Sequence, residues 1–236
     1  MKSPLSGKTA LLTGASSGLG RALALELALR GVNVFLVARR EPELRSAAEE
    51  IRAAGGQAEF YACDLRSVPT VFDLVDIALS RLKRLDILVN NAGVGFQAPL
   101  LGTKRSQIAE AVETNLCAPI YLTQAALPAL LRAVPSEIVN VAALTGLHAS
   151  AEATVFCATK FGLVGFSRAL AMELQPAGIR VTTFCPGSLD TPMLENFSAR
   201  PAPEGRLAPA EAAKIIAQAL ETPAGILHGD IAIRHQ

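Results

Sequence analysis

The chain has 236 residues, 50% of them hydrophobic and 18% charged, enough for one substantial core in a single domain spanning 1–236. Its 22 basic and 21 acidic side chains leave a formal net charge of +1, which excludes the basic field of a nucleic-acid-binding protein. Four cysteines (Cys63, Cys117, Cys157, Cys185) without CxxC spacing and three histidines (His148, His228, His235) without ligand-like grouping give no metal site, and buried free thiols are expected.

The first residues, "MKSPLSGKTALLTG", contain no long apolar region followed by a small-residue cleavage site, and no uncharged apolar run reaches the roughly 20 residues of a membrane span. A cytoplasmic, reduced protein is expected. Strands are predicted over 8–14, 32–38, 57–63, 86–93, 137–143, 179–187 and 225–234, and helices over 18–30, 41–54, 67–82, 104–132, 154–175 and 209–221. Most of the first six strands are apolar on both faces, as strands of a parallel sheet covered on each side must be. The β–α–β alternation implies right-handed crossovers and an α/β, doubly wound (Rossmann-type), mostly parallel seven-stranded sheet flanked by helices. Gly31 suits a helix C-terminus and Pro209 a helix start. Pro128 falls inside the fourth helical pattern and is expected to kink or interrupt it. The Pro/Gly-rich stretch "SARPAPEGRLAP" (198–209) reads as a loop, not a domain linker.

"TGASSGLG" (13–20) joins the first strand to the first helix. Gly14, Gly18 and Gly20 form G-x₃-G-x-G, with Ser16, Ser17 and Leu19 between them. Small residues here let the chain turn tightly and let backbone amides at the helix N-terminus approach a pyrophosphate. At the end of the second strand, an acidic residue would bond the ribose 2′-hydroxyl of NAD. The chain gives "VARRE" instead. Ala38 supplies no carboxylate, whereas Arg39 and Arg40 suit a 2′-phosphate, so NADP is favoured over NAD with Arg39 as the first choice.

"TGASSGLG", "CDL" (63–65), "NNAG" (90–93), Asn115, the lysine of "FCATK" and "PGSLDT" (186–191) stand in order and spacing that resemble the short-chain dehydrogenases/reductases, over about residues 1–222. The resemblance implies that Asp64 and Leu65 border the adenine and that Asn91, Ala92 and Gly93 flank the coenzyme. It implies that Asn115 helps hold a proton-relay water. Lys160 would bind the nicotinamide ribose hydroxyls and lower the pKa of a nearby phenol. Pro186, Gly187, Leu189 and Thr191 would lie along the nicotinamide and its carboxamide.

The family pattern is broken at two positions. Members use a serine in a segment like "IVNVSSxxG" and a tyrosine four residues before the lysine. Here "IVNVAALTG" puts Ala143 at the first position and "FCATK" puts Phe156 at the second. Each change removes one side-chain oxygen and keeps the carbon framework, so the fold is expected to survive. A general acid supplies ~10²–10⁴-fold and an oxyanion donor roughly 10²–10³-fold, so standard catalysis is expected to be crippled. Thr145, His148, Thr154 and Cys157 are the neighbours weighed as substitutes, and Thr145 is the least implausible of them.

Three readings stay open. One is an NADP-dependent carbonyl reductase or alcohol dehydrogenase whose two groups were replaced deliberately. Another is a natural pseudoenzyme that binds coenzyme as a sensor or scaffold. The third is a non-redox catalyst in the old pocket. The small-molecule ligand is expected to be an apolar carbonyl or alcohol, with residues 94–101, Leu144, Leu147, Met193 and Phe197 as candidate wall. The resemblance also implies a homodimer or homotetramer through the helices of 104–132 and 154–175.

Overall fold

The computed structural model describes residues 2–197, 205–223, 225–226 and 229–234. Seven strands form one sheet: β1 (Thr9–Thr13), β2 (Asn33–Ala38), β3 (Ala58–Ala62), β4 (Ile87–Asn90), β5 (Ser136–Val141), β6 (Ile179–Pro186) and β7 (Asp230–Ile233). They lie in the order β3-β2-β1-β4-β5-β6-β7, and every pairing is parallel. The helices are α1 (Gly18–Leu29), α2 (Glu41–Ala53), α3 (Val68–Leu82), α4 (Arg105–Val112), α5 (Ala118–Arg132), α6 (Thr154–Leu174) and α7 (Pro209–Leu220).

Period-two alternation along the central strands builds two cores. Ala10, Leu12, Val34, Leu36 and Ala38 face one side, where α1, α2 and α7 cover them. Leu11, Phe35 and Val37 face the other, under α3, α5 and α6. The chain winds outward from β1 to β3 and then crosses to β4 on the far side of β1. That reversal opens a crevice at the carboxyl ends of β1 and β4, the place where ligands bind in open α/β sheets.

Three local expectations change. The strand predicted over 86–93 ends at Asn90, which leaves Asn91, Ala92 and Gly93 free of the sheet at the crevice. The last strand is Asp230–Ile233, shorter than predicted, and 227–228 lie outside the described residues, as do 198–204 of the Pro/Gly-rich stretch. Pro128 does not interrupt its helix; it sits inside α5. The irregularity falls instead at the π turn Glu113–Cys117 between α4 and α5. Pro119 accounts for it: having no N–H, it cannot bond the carbonyl of Asn115 four residues back, and its ring crowds that carbonyl. The N–H of Ala118 reaches Glu113 instead, five residues back, as a π turn requires.

By length and hydropathy the run Thr154–Ala177 would pass for a membrane span, but half of its most apolar stretch is buried in the fold.

Candidate functional site

The crevice holds about 620 Å³ and is lined from four directions: the turn after β1, the ends of β2 and β3, the loop after β4, and the segments after β5 and β6. The glycine turn is shaped by space as much as by dihedral angle. Gly14 (φ +69°) and Gly18 (φ +54°) occupy the left-handed region. A Cβ at Gly20 would lie 2.2 Å from the carbonyl oxygen of Gly14, and one at Gly14 would lie 2.8 Å from Ala92. Ser17 precedes α1 in extended geometry without capping it through its side chain. The first amides of α1 therefore have no side-chain partner, the donor set that a diphosphate takes.

At the end of β2 the two arginines part. Arg40 Nη2 donates to Ser16 Oγ (3.1 Å) and Ser17 Oγ (3.0 Å), which brings it over the glycine turn. Arg39, the first choice from sequence, also lines the crevice, but its Nη1 meets Glu110 of α4 at 3.1 Å. Glu110 also lies 3.8 Å from Arg66, which binds Asp64. The hydrogen bond from Arg66 holds the Asp64 carboxyl below the usual carboxylate range. Leu65 and Cys63 complete this end, and burial pushes the Cys63 thiol up to about 11.

The loop after β4 is pinned to the turn by Thr13, a residue sequence reasoning passed over. Its hydroxyl accepts the N–H groups of Asn91 and Ala92, each at 3.0 Å, and donates to Val89 O. Asn91 Nδ2 donates to Thr13 O at 2.9 Å, so this side chain braces the glycine turn. Gly93 lines the crevice, and a Cβ there would lie 3.3 Å from Asn115 Oδ1 and 3.6 Å from Lys160 Nζ.

Asn115 stands behind the wall. It is fully buried; its Oδ1 accepts Val94 N–H and its Nδ2 donates to Val94 O, both at 2.8 Å, with Thr159 Oγ1 at 3.1 Å. Both hydrogens of its side-chain amide are thereby used and one acceptor site of Oδ1 is filled, so the side chain clamps the loop from behind the crevice wall.

Lys160 projects from α6 into the crevice wall, and its Nζ donates to Val141 O at 2.9 Å. It is 4% exposed, and among the described residues no carboxylate pairs with it. Burial lowers its pKa from 10.5 to about 8. Phe156, one turn earlier, puts its ring centroid 5.7 Å from that amine. Ala143 is extended, at the start of the 3₁₀ turn Leu144–Gly146, and packs against Ala153, Phe156 and Cys157. Of the four neighbours weighed as substitutes, only Thr145 lines the crevice, and its Oγ1 is shielded without a hydrogen-bond partner. His148 and Thr154 are exposed, and Cys157 points its thiol at Ser150 O.

Pro186, Gly187, Ser188, Leu189 and Thr191 form the opposite wall. Thr191 lies against Gly18, where a Cβ would come within 3.0 Å of its methyl. Of the predicted apolar wall, Val94, Gly95, Leu144, Met193 and Phe197 line the crevice, whereas Leu147 and residues 96–101 do not.

The sequence profile of the short chain dehydrogenases matches residues 8–202. A putative ketoacyl reductase of Streptomyces coelicolor is 39% identical over 188 residues, covering 79% of this chain and 72% of that protein. Among solved structures, a variant of actinorhodin polyketide ketoreductase with NADPH superposes with a TM-score of 0.89 at 33% identity, over 99% of this chain and 98% of that one. A metagenomic short-chain oxidoreductase in complex with NADP gives 0.86 at 33% identity, over 98% of each chain.

Proposed function

Because this chain belongs to the short-chain dehydrogenase family, an oxidoreductase family, we propose that it binds NADP(H) in the crevice and that carbonyl–alcohol hydride transfer is crippled at positions 143 and 156. The residues present fit the coenzyme. A diphosphate suits the cradle at Gly14, Gly18 and Gly20, which any Cβ would fill, and the uncapped start of α1. Arg39 and Arg40 suit a 2′-phosphate, and Ala38 offers no carboxylate to a free 2′-hydroxyl. Asp64, Leu65, Ala92 and Gly93 flank the adenosine and ribose, with Pro186, Gly187, Leu189 and Thr191 along the nicotinamide. Lys160 holds ribose hydroxyls. When bound, NADPH supplies a hydride.

The observation that carries the reading is the wall beside Lys160: Ala143 and Phe156 present a methyl and a hydrocarbon ring where a developing alkoxide needs a proton. Asn115 positions the Val94 loop. Restoring Ala143→Ser together with Phe156→Tyr tests this, with NADPH binding followed by fluorescence and NADPH oxidation followed on β-ketoacyl thioesters and simple ketones. The wild type should bind NADPH and turn over ~10²-fold or more slowly than the restored protein. Wild-type turnover at the restored rate would refute the reading. Tight NADPH binding without recovery favours the second reading, a coenzyme-binding sensor or scaffold, for which the intact cradle speaks. Product formed with no change in nicotinamide absorbance would mark non-redox use of the pocket. We propose further that the molecule pairs as a homodimer or homotetramer through α4, α5 and α6, where Val112 and Phe161 are exposed.

A further inference from the structure

Beyond Lys160 the crevice turns apolar, and one ring fills it. Phe197, at the end of the 3₁₀ segment Pro192–Phe197, meets Phe156 edge-on with centroids 5.3 Å apart and planes at 72°. Ala143, Ala153 and Cys157 close the cluster around the two rings. Gly95 is the floor: a Cβ there would lie 2.6 Å from two carbons of the Phe197 ring and 3.2 Å from Phe156. The backbone fixes this arrangement. Gln97 N–H bonds Asn196 O at 3.2 Å, and Ala98 N–H bonds Glu152 O at 2.8 Å, so the loop after β4 is stitched to both neighbouring segments.

A glycine under the ring, a second ring at its edge and a methyl beside it make a seat for a flat apolar group, and the protein's own side chain sits in it. We propose that Phe197 occupies the ligand's place: the substrate subsite takes a planar apolar ring bearing a carbonyl, which must displace Phe197 before the carbonyl reaches Lys160. The inference rests on the functional reading only in treating the Lys160 end as the reacting end. Among the described residues the wall there offers Lys160 as its one cation, already bonded to Val141 O, and otherwise apolar groups, so a planar apolar ring gains more from it than a small anionic ketone does.

The test titrates acetophenone and, separately, pyruvate into coenzyme-free wild type, Phe197→Ala and Phe197→Leu, with binding followed by calorimetry. Emptying the seat should tighten acetophenone binding roughly tenfold or more in the alanine variant, by the apolar area a phenyl group buries. Phe197→Leu should give a smaller gain and keeps the test alive if the alanine variant misfolds. Pyruvate should gain nothing. Equal acetophenone affinity in wild type and the folded variants would overturn the proposal, as would a pyruvate gain as large as that of acetophenone. NADPH fluorescence on the same proteins separates the two readings: failure to bind NADPH sinks the coenzyme assignment, while the acetophenone titrations, made without coenzyme, decide on Phe197.

Discussion

Lys160 carries its charge into a buried place where a carbonyl is its hydrogen-bond partner and the Phe156 ring its neighbour, and that has a measurable consequence. Its ordinary pKa is 10.5 and in the fold it is about 8. Between those values the unfolded chain holds one more proton than the folded one, so stability rises with pH across the window and is lost as pH falls toward 8. Lys160→Met should therefore be relatively most stable near neutral pH. Its advantage over wild type should shrink by up to about 3 kcal/mol on going to about pH 10. Urea denaturation of both proteins across that range checks this; a constant gap would mean that the amine is not desolvated. Cys63 and Cys185, raised to about 11 by burial, act in the opposite direction, losing stability as pH rises past 9, but they do so in both proteins. Glu110 offers a second test at this scale. It pairs with Arg39, so a 2′-phosphate must compete for that guanidinium, and Glu110→Gln should tighten NADPH binding several-fold and leave NADH unchanged. The pair is more than one-third exposed at both ends, so the gain should fade as salt is added.

The turn between β1 and α1 is the element on which coenzyme binding depends, and its glycines are not equivalent. A methyl at Gly20 would strike the Gly14 carbonyl at 2.2 Å and the Asn91 amide at 2.5 Å, both parts of the brace between β1 and β4. A methyl at Gly165, on α6, meets nothing. Gly20→Ala should cost at least tenfold in NADPH affinity while Gly165→Ala changes nothing, as read by fluorescence titration. This turn was legible in the sequence because it is local: strand, glycines and helix follow one another within a dozen residues. The parallel, doubly wound class was legible for the same reason, since each β–α–β unit is closed by its own crossover, whereas the order β3-β2-β1-β4-β5-β6-β7 came only with the structure. What stayed hidden depends on residues far apart in the chain. Nothing near Asn115 announces that its amide clamps Val94, and nothing near Arg39 names Glu110. Pro128 was misjudged in a related way, although Pro209 does open α7 as expected. Pro128 is accommodated inside α5, whereas Pro119, close behind Asn115, is where the helix yields into a π turn.

Across the whole molecule, ligand handling and structural anchoring sit at opposite ends of the sheet. The crevice, with Lys160 in its wall, gathers at the carboxyl ends of the strands, while the amino ends hold a buried ion pair. Arg180, early in β6, meets Glu137, early in β5, at 2.7 Å, and both are about 95% buried. The same guanidinium donates to the carbonyls of Leu220, Thr222, Pro223 and Ile226, tying the segment after α7 to the sheet. Burial still raises the Glu137 pKa against the pull of Arg180, so the carboxylate depends on its partner. Removing one member of such a pair strands the other charge, at about 3–5 kcal/mol. Arg180→Met should therefore lower the unfolding free energy by that amount in urea. In the protein that remains folded at low temperature, NADPH affinity should stay within about twofold of wild type, because no group of the crevice touches Arg180 and sites without shared partners act independently. A parallel fall in NADPH affinity would show that the two ends of the sheet are coupled. Unchanged binding beside a large loss of stability would mean that the crevice is held by its own local braces, Thr13, Asn91 and Asn115, and not by the packing of the molecule as a whole.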